Sequence, residues 1–167
     1  VGEVIRRVSG AASVGAFVLA EIAAPLGVDF YIGTPESDDG RIAALLAPAA
    51  GSPATTDVNP AMSRPLTQRS FALAGAAAAP VNSRAWREAE IPGANGHTTA
   101  RALARIYGAL SRGGEVDSVR LMGPESIAAA RRLVTDNVND ETLGTRTRRS
   151  LGYFLPIAEL GDRRGPQ

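Results

Sequence analysis

The chain has 167 residues, 44% hydrophobic and 21% charged, a balance that suits one ordinary globular domain and is not that of a disordered protein. A formal net charge of +1 excludes a global field that would recruit nucleic acid or an anionic membrane. All 18 basic side chains are arginine and there is no cysteine, which removes lysine, disulfide and thiolate chemistry and leaves the compartment open.

In chain order, Val1, Val4, Ile5 and Val8 recur at helical spacing opposite Arg6 and Arg7, and Gly10 stops that helix. Ser13 caps a second helix carrying Val14, Phe17, Val18, Glu21 and Ile22, which Pro25 and Gly27 end. VDFYIG at residues 28–33 reads as a short strand. Glu36, Asp38 and Asp39 after Thr-Pro read as the polar start of a helix or turn. RIAALL at 41–46 is too short to separate strand from helix. Residues 47–65 form a long Pro-, Ala- and Ser-rich loop, and FALAGAAAAPV at 71–81 is an internal small-residue run far short of the ~20 residues that span a bilayer. The clearest helix covers 98–112, capped by Thr98 or Thr99, with a stripe of Leu103, Ile106, Tyr107 and Leu110 and a Gly113-Gly114 stop. GGEVDSVRLM gives a turn and short strand, Gly123-Pro124 opens another helix, and SLGYFLP at 150–156 reads as a last strand.

Templates for chemistry fail by inspection. There is no G-x-S-x-G elbow, and without lysine neither S-x-x-K nor K-T-G exists. Tyr31, Tyr107 and Tyr153 are followed two residues on by Gly33, Ala109 and Leu155, so Y-x-N is missing. One histidine, His97, leaves only carboxylates as metal ligands, and TDNVNDE at 135–141 lacks the spacing of a calcium loop and reads as a solvated turn. Arg146, Arg148 and Arg149 read as a solvated face, and Trp86, the single tryptophan, as a core anchor.

Residues 90–130, EIPGANGHTTARALARIYGALSRGGEVDSVRLMGPESIAAA, resemble a signature stretch of β-lactamase-fold serine hydrolases, a group of class C β-lactamases, D-Ala-D-Ala carboxypeptidases and β-lactamase-like carboxylesterases. GEVIRRVSG and PLGVDFYIGTPE near the start resemble the esterase branch, and SLGYFLP resembles the strand leading toward the third family motif. Met122 and Gly123 stand where the family usually has Leu and Ser.

The resemblance implies an α+β, β-lactamase/transpeptidase-like fold across residues 1–167, mostly its helical inserted region, with the main antiparallel sheet largely missing. In the family the S-x-x-K serine and the tyrosine motif precede the part matched here and the H-x-G strand follows it. The implied reading is an internal fragment of a serine acyl hydrolase, inactive alone, with exposed apolar stripes and marginal stability. It further implies a small-molecule ester or amide substrate for the parent protein, no cofactor, no metal, no nucleic-acid partner and no membrane span. No catalytic residue carries over. PGANGH at 92–97 corresponds to a stretch bordering the substrate cleft, so Gly93, Asn95, Gly96 and His97 are candidate cleft-lining residues. The alternative is that Asn95 and His97 only satisfy loop backbone groups and cap the next helix. A non-catalytic binding or interaction module derived from the same fold is the competing function.

Overall fold

The computed structural model describes residues 1–46, 65–69 and 80–157. The loop expected at 47–65 and most of the small-residue run at 71–81 lie outside them. The chain divides into two compact units, Val1–Leu45 with Ala79–Pro124, and Leu46–Ala78 with Glu125–Gln167.

In the first unit, α1 (Gly2–Ser9) ends at Gly10, whose φ of 72° lets its N–H reach the Arg6 carbonyl. Its one acid, Glu3, takes both Arg6 and Arg7, and these two hydrogen bonds hold the Glu3 carboxyl at a pKa of about 2, below the ordinary 4.5. The helix buries none of its residues fully; Ile5 packs inward, while Val1, Val4 and Val8 are exposed.

Helix α2 (Val14–Leu26) starts at Ser13, whose Oγ accepts from the Ala16 N–H at 3.1 Å. Its middle, Leu19–Ala23, widens to a π-turn in which the Ala24 N–H bonds to the Leu19 carbonyl. Pro25 follows directly; it has no N–H for the carbonyl of residue 21 and its ring crowds that carbonyl, so a wider turn relieves the clash. The proline therefore lies inside the helix, and Gly27, in the left-handed region, ends it.

Strand β1 (Phe30–Ile32) pairs antiparallel with β2 (Gly96–Thr98), setting Tyr31 opposite His97. Between them in sequence come a 3₁₀ helix, Glu36–Arg41, and α3 (Arg84–Glu88). Residues 42–46 are neither strand nor helix. Helix α4 (Ala100–Ser111) is capped by Thr99, the second of the two threonines considered. Its buried residues are Ala102 and Ala109, whereas Leu103 and Tyr107 of the predicted stripe are exposed. Ile106 of the same stripe packs beside Ala109 in the core.

Gly113 and Gly114 both have positive φ, and a Cβ on Gly114 would strike the Met122 carbonyl, so this turn requires glycine. β3 (Glu115–Val116) and β4 (Val119–Arg120) then form a tight hairpin where a single strand was expected. Asp117 and Ser118 both have positive φ, the requirement of a type I′ turn. Arg105 of α4 locks this corner: Nε donates to the Leu26 carbonyl at 2.9 Å and Nη2 pairs with Asp117 at 2.8 Å, a cation at the negative end of α2.

Two apolar clusters result. Val14, Val18 and Ile32 pack with Ile5, Phe17 and Phe30; Leu26, Ala109 and Val116 pack with Ile22, Val28, Ile106, Val119 and Leu121.

The second unit holds α5 (Pro124–Arg131), opened by the predicted proline, and a hairpin of β5 (Leu133–Asp140) and β6 (Thr145–Ser150). Two expectations are corrected here. TDNVNDE is mostly strand, and from it Asp136 pairs with Arg148 and Asp140 with Arg149 of β6. The arginines read as a solvated face are thus partly occupied within the hairpin, and Arg149 also lies 4.5 Å over the Phe154 ring. Residues 150–156 are not a strand: the Ser150 N–H bonds to the Tyr153 carbonyl in a turn, leaving only an isolated bridge between Arg149 and Phe154. Among the described residues every sheet is two-stranded, and no single helix is long and apolar enough to cross a membrane.

The start of α2 is bound from far along the chain. Glu90 accepts from Ser13 Oγ at 2.5 Å and from the Gly15 N–H at 3.1 Å. A Cβ on Gly15 would collide with the Ile32 carbonyl and with Glu90 Oε1. Alanine ordinarily stabilises a helix over glycine, yet Gly15→Ala is expected to lower stability by about 2 kcal/mol, because backbone must move. Glu90→Gln, which loses the charge at the helix end and one acceptor, is expected to lower it by about 1 kcal/mol. Urea unfolding midpoints check both; a Gly15→Ala protein as stable as the parent sequence contradicts this packing.

Candidate functional site

The first unit contains a cavity of about 420 Å³. One side is the β1–β2 ribbon, which contributes Tyr31, Gly96 and His97. Its register is held by Thr98, whose hydroxyl donates to the Asp29 carbonyl at 2.7 Å. A second side is the end of the 3₁₀ helix and the irregular stretch after it, with Asp38, Arg41 and Leu45. The third is α3 and its flanks, with Asn82, Trp86 and Arg87.

Charge holds these sides in place. Arg41 bonds to Asp38 at 3.1 Å and to Asp29 at 2.5 Å, and the two carboxylates, Asp38 foremost, raise the arginine's pKa further. Asp39 takes Arg84, with Arg87 at 3.6 Å. Arg84 also donates to the Thr34 carbonyl, while buried Thr34 donates its N–H to the Arg87 carbonyl at 2.7 Å and its hydroxyl to the same oxygen at 3.1 Å. The 3₁₀ helix is thereby fastened to α3. Tyr31 sits within this network; partial burial first, then the Asp38 carboxylate, push its pKa up against the opposing pull of Arg41.

The irregular stretch has a separate clasp. The Asn82 side chain accepts from the Leu45 N–H at 2.8 Å and donates to the Leu45 carbonyl at 2.9 Å, imitating one rung of a β-ladder.

Three of the four cleft residues expected from the sequence line the cavity: Asn95, Gly96 and His97. Gly93 is not among its lining residues; it lies in the exposed turn before β2. Neither Gly93 nor Gly96 has a positive φ, so neither is required there by backbone conformation. Asn95 is 2% exposed and serves the backbone: Oδ1 accepts from the Ile91 N–H at 3.0 Å, and Nδ2 donates to the Trp86 carbonyl at 2.8 Å and to the Ala89 carbonyl. His97 is half-buried, and its Nδ1 is buried with no hydrogen-bond partner. The cap of α4 belongs to Thr99, not to either of them.

Trp86 corrects its own expectation. It is half-buried on the cavity lining and belongs to neither apolar cluster. Sequence reading also missed Tyr31, Asp38, Arg41 and Asn82, and the only available signal was the pairing of β1 with β2, which joins segments distant in the chain. Among the described residues no group of three or more His, Cys, Asp or Glu is placed to hold a metal ion.

The profile of the beta-lactamase family matches residues 1–164. The chain belongs to the beta-lactamase family. It is 35% identical over 148 residues to the esterase/beta-lactamase LipL of Mycobacterium tuberculosis, covering 84% of this chain and 34% of that protein. Among solved structures it is similar to a family VIII carboxylesterase (TM-score 0.76, 34% identity, 99% of this chain and 41% of that one). It is also similar to a penicillin-binding protein homologue from Caulobacter crescentus (TM-score 0.68, 35% identity, 92% and 38%). EstA from Arthrobacter nitroguajacolicus Rue61a gives a TM-score of 0.70 at 26% identity, over 94% of this chain and 41% of EstA. The fold is thus a partial match to the β-lactamase/transpeptidase type, and the chain spans about a third of the curated relative it matches.

Two outcomes follow from the cavity walls. Asn95→Ala leaves one N–H and two carbonyls without their partner and is expected to lower stability by about 3 kcal/mol, read from the thermal or urea midpoint. Asn82→Ala is expected to speed amide exchange of Leu45 at least tenfold while β1 and β2 amides keep their protection, measured by hydrogen–deuterium exchange.

Proposed function

We propose that this chain forms part of a serine acyl hydrolase of the esterase type and supplies one wall of its substrate cleft. The observation that carries this reading is the cavity framed by β1–β2 and α3, which takes in Asn95, Gly96 and His97 from the stretch that resembles the family's cleft border. Its volume falls in the range of small-molecule sites. The likeness to a carboxylesterase and to an esterase/beta-lactamase supports an ester as the substrate class.

The acyl-transfer chemistry itself belongs, in this reading, to the longer protein. A serine nucleophile needs a neighbouring group to take its proton. These 167 residues hold no lysine and no Y-x-N, so the family's proton-transfer pair is not among them. They correspond mostly to the helical inserted region of the fold, with the main antiparallel sheet contributed elsewhere. The two-stranded ribbons of the described residues are in keeping with that assignment.

The second reading, a non-catalytic binding module of the same ancestry, is favoured by one fact, the missing lysine, and shares the cavity. The discriminating experiment incubates the 167-residue chain with p-nitrophenyl butyrate and with a fluorophosphonate probe, and follows cavity amides by NMR with a non-activated ester. Shifts at His97 and Asn95 without turnover or labelling are the expected result. Turnover with stoichiometric serine labelling overturns the claim of inactivity, and no response to any ester favours the binding module.

A further inference from the structure

The cavity's charges are already spent on one another. Of the formal charges on its lining, Asp29 and Asp38 are both held by Arg41, and Arg87 faces Asp39. Apart from His97, no acid or base on the lining is left without a counter-charge. A charged ligand entering this space would give up water and meet no free partner, whereas a neutral one loses little.

The aromatic component stands on a firmly held backbone. Trp86 is tied at both backbone polar groups: its N–H donates to Ser83 Oγ at 3.2 Å and its carbonyl accepts from Asn95 Nδ2 at 2.8 Å. Arg84 and Arg87 on the same short helix are anchored to Asp39, which holds α3 from the other end. The backbone that carries the indole is therefore held before any ligand arrives, and a planar group entering the cavity meets an aromatic side chain on its lining. Apolar Ile42 and Leu45 stand on the lining across the irregular stretch, so a flat, uncharged group finds apolar surroundings beyond the indole as well.

We propose that this cavity selects the neutral aromatic portion of an ester, with Trp86 as the specificity-determining residue. The proposal rests on the reading of the cavity as an ester site and narrows it: aromatic over aliphatic, uncharged over anionic.

The test uses the 167-residue chain at pH 8. Trp86 is the only tryptophan, so intrinsic fluorescence reports this cavity alone. Three probes are titrated: methyl benzoate, benzoate, and ethyl hexanoate, an aliphatic ester with the same number of heavy atoms. NMR shifts of the His97 and Asn95 amides give a readout independent of the indole. Methyl benzoate is expected to bind at least tenfold more tightly than benzoate and at least threefold more tightly than ethyl hexanoate. Trp86→Leu should erase the preference over ethyl hexanoate in the NMR titration, while Trp86→Phe should keep part of it. Amide dispersion confirms that each variant is folded, and the comparison of the three probes on the unaltered chain stands without any variant.

Equal binding of the two esters, or benzoate binding as tightly as methyl benzoate, overturns the specificity while leaving an ester site in place. An aromatic preference that survives in folded Trp86→Leu overturns the role of Trp86. Silence of the cavity amides toward both esters removes the ester-site reading and this proposal with it.

Discussion

A single carboxylate organises the first unit. Glu90 lies 75 residues beyond Gly15, yet it receives that residue's backbone N–H and the hydroxyl of Ser13, filling the positive end of α2. Helix starts are usually satisfied by a neighbour three residues on; here the partner comes from far along the chain. The close approach also explains two glycines. Gly15 leaves room for the Ile32 carbonyl and the carboxylate, and Gly33, at a φ of 78°, leaves room for the Glu88 carbonyl and the Glu90 side chain. With residues 88–90 held there, the chain re-enters beside β1, and β2 follows within a few residues.

Everything at the cavity depends on that return. β2 pairs with β1, the turn before it is organised by Asn95, and Asn95 in turn holds the backbone of Trp86. Two arginines of α3 reach Asp39 of the 3₁₀ helix, so these two segments, distant in sequence, clasp each other directly. These ion pairs are partly exposed, and each alone contributes little. Their value lies in convergence: Asp39 meets two arginines, and Arg41 meets two aspartates, so that side chains otherwise free to rotate share one arrangement.

Local signals in the sequence carried the elements and their ends. Ser13, Thr99, Gly10, Gly27 and Pro124 act where their chemistry says they should, because caps and stops depend on a handful of adjacent atoms. Of the four residues singled out through the family resemblance, Asn95, Gly96 and His97 stand on the cavity lining and Gly93 does not. What was illegible depends on distant partners. Glu90 carries no local signal of its partners, Ser13 and Gly15. TDNVNDE looked like a polar turn until the arginines of β6 were set across from it. The stripe of Leu103 and Tyr107 satisfied helical periodicity, but periodicity names a face and not what covers it, and the close approach in this unit is made by Ala102 and Ala109. Trp86 was assigned to the core on size alone; its place is decided by Ser83 and Asn95, which hold its backbone.

The arrangement around Asn95 has a chemical consequence as well. An asparagine followed by glycine is the dipeptide most prone to cyclise, since the glycine nitrogen attacks the side-chain amide with no Cβ in its way. In this fold the Asn95 amide is buried and engaged by three backbone groups, while Gly96 is drawn into the ribbon opposite Ile32. Bringing the nucleophile onto the amide carbon requires breaking both constraints together. The intact turn thus protects its own covalent structure, and the age of a preparation becomes a record of how often that turn has opened.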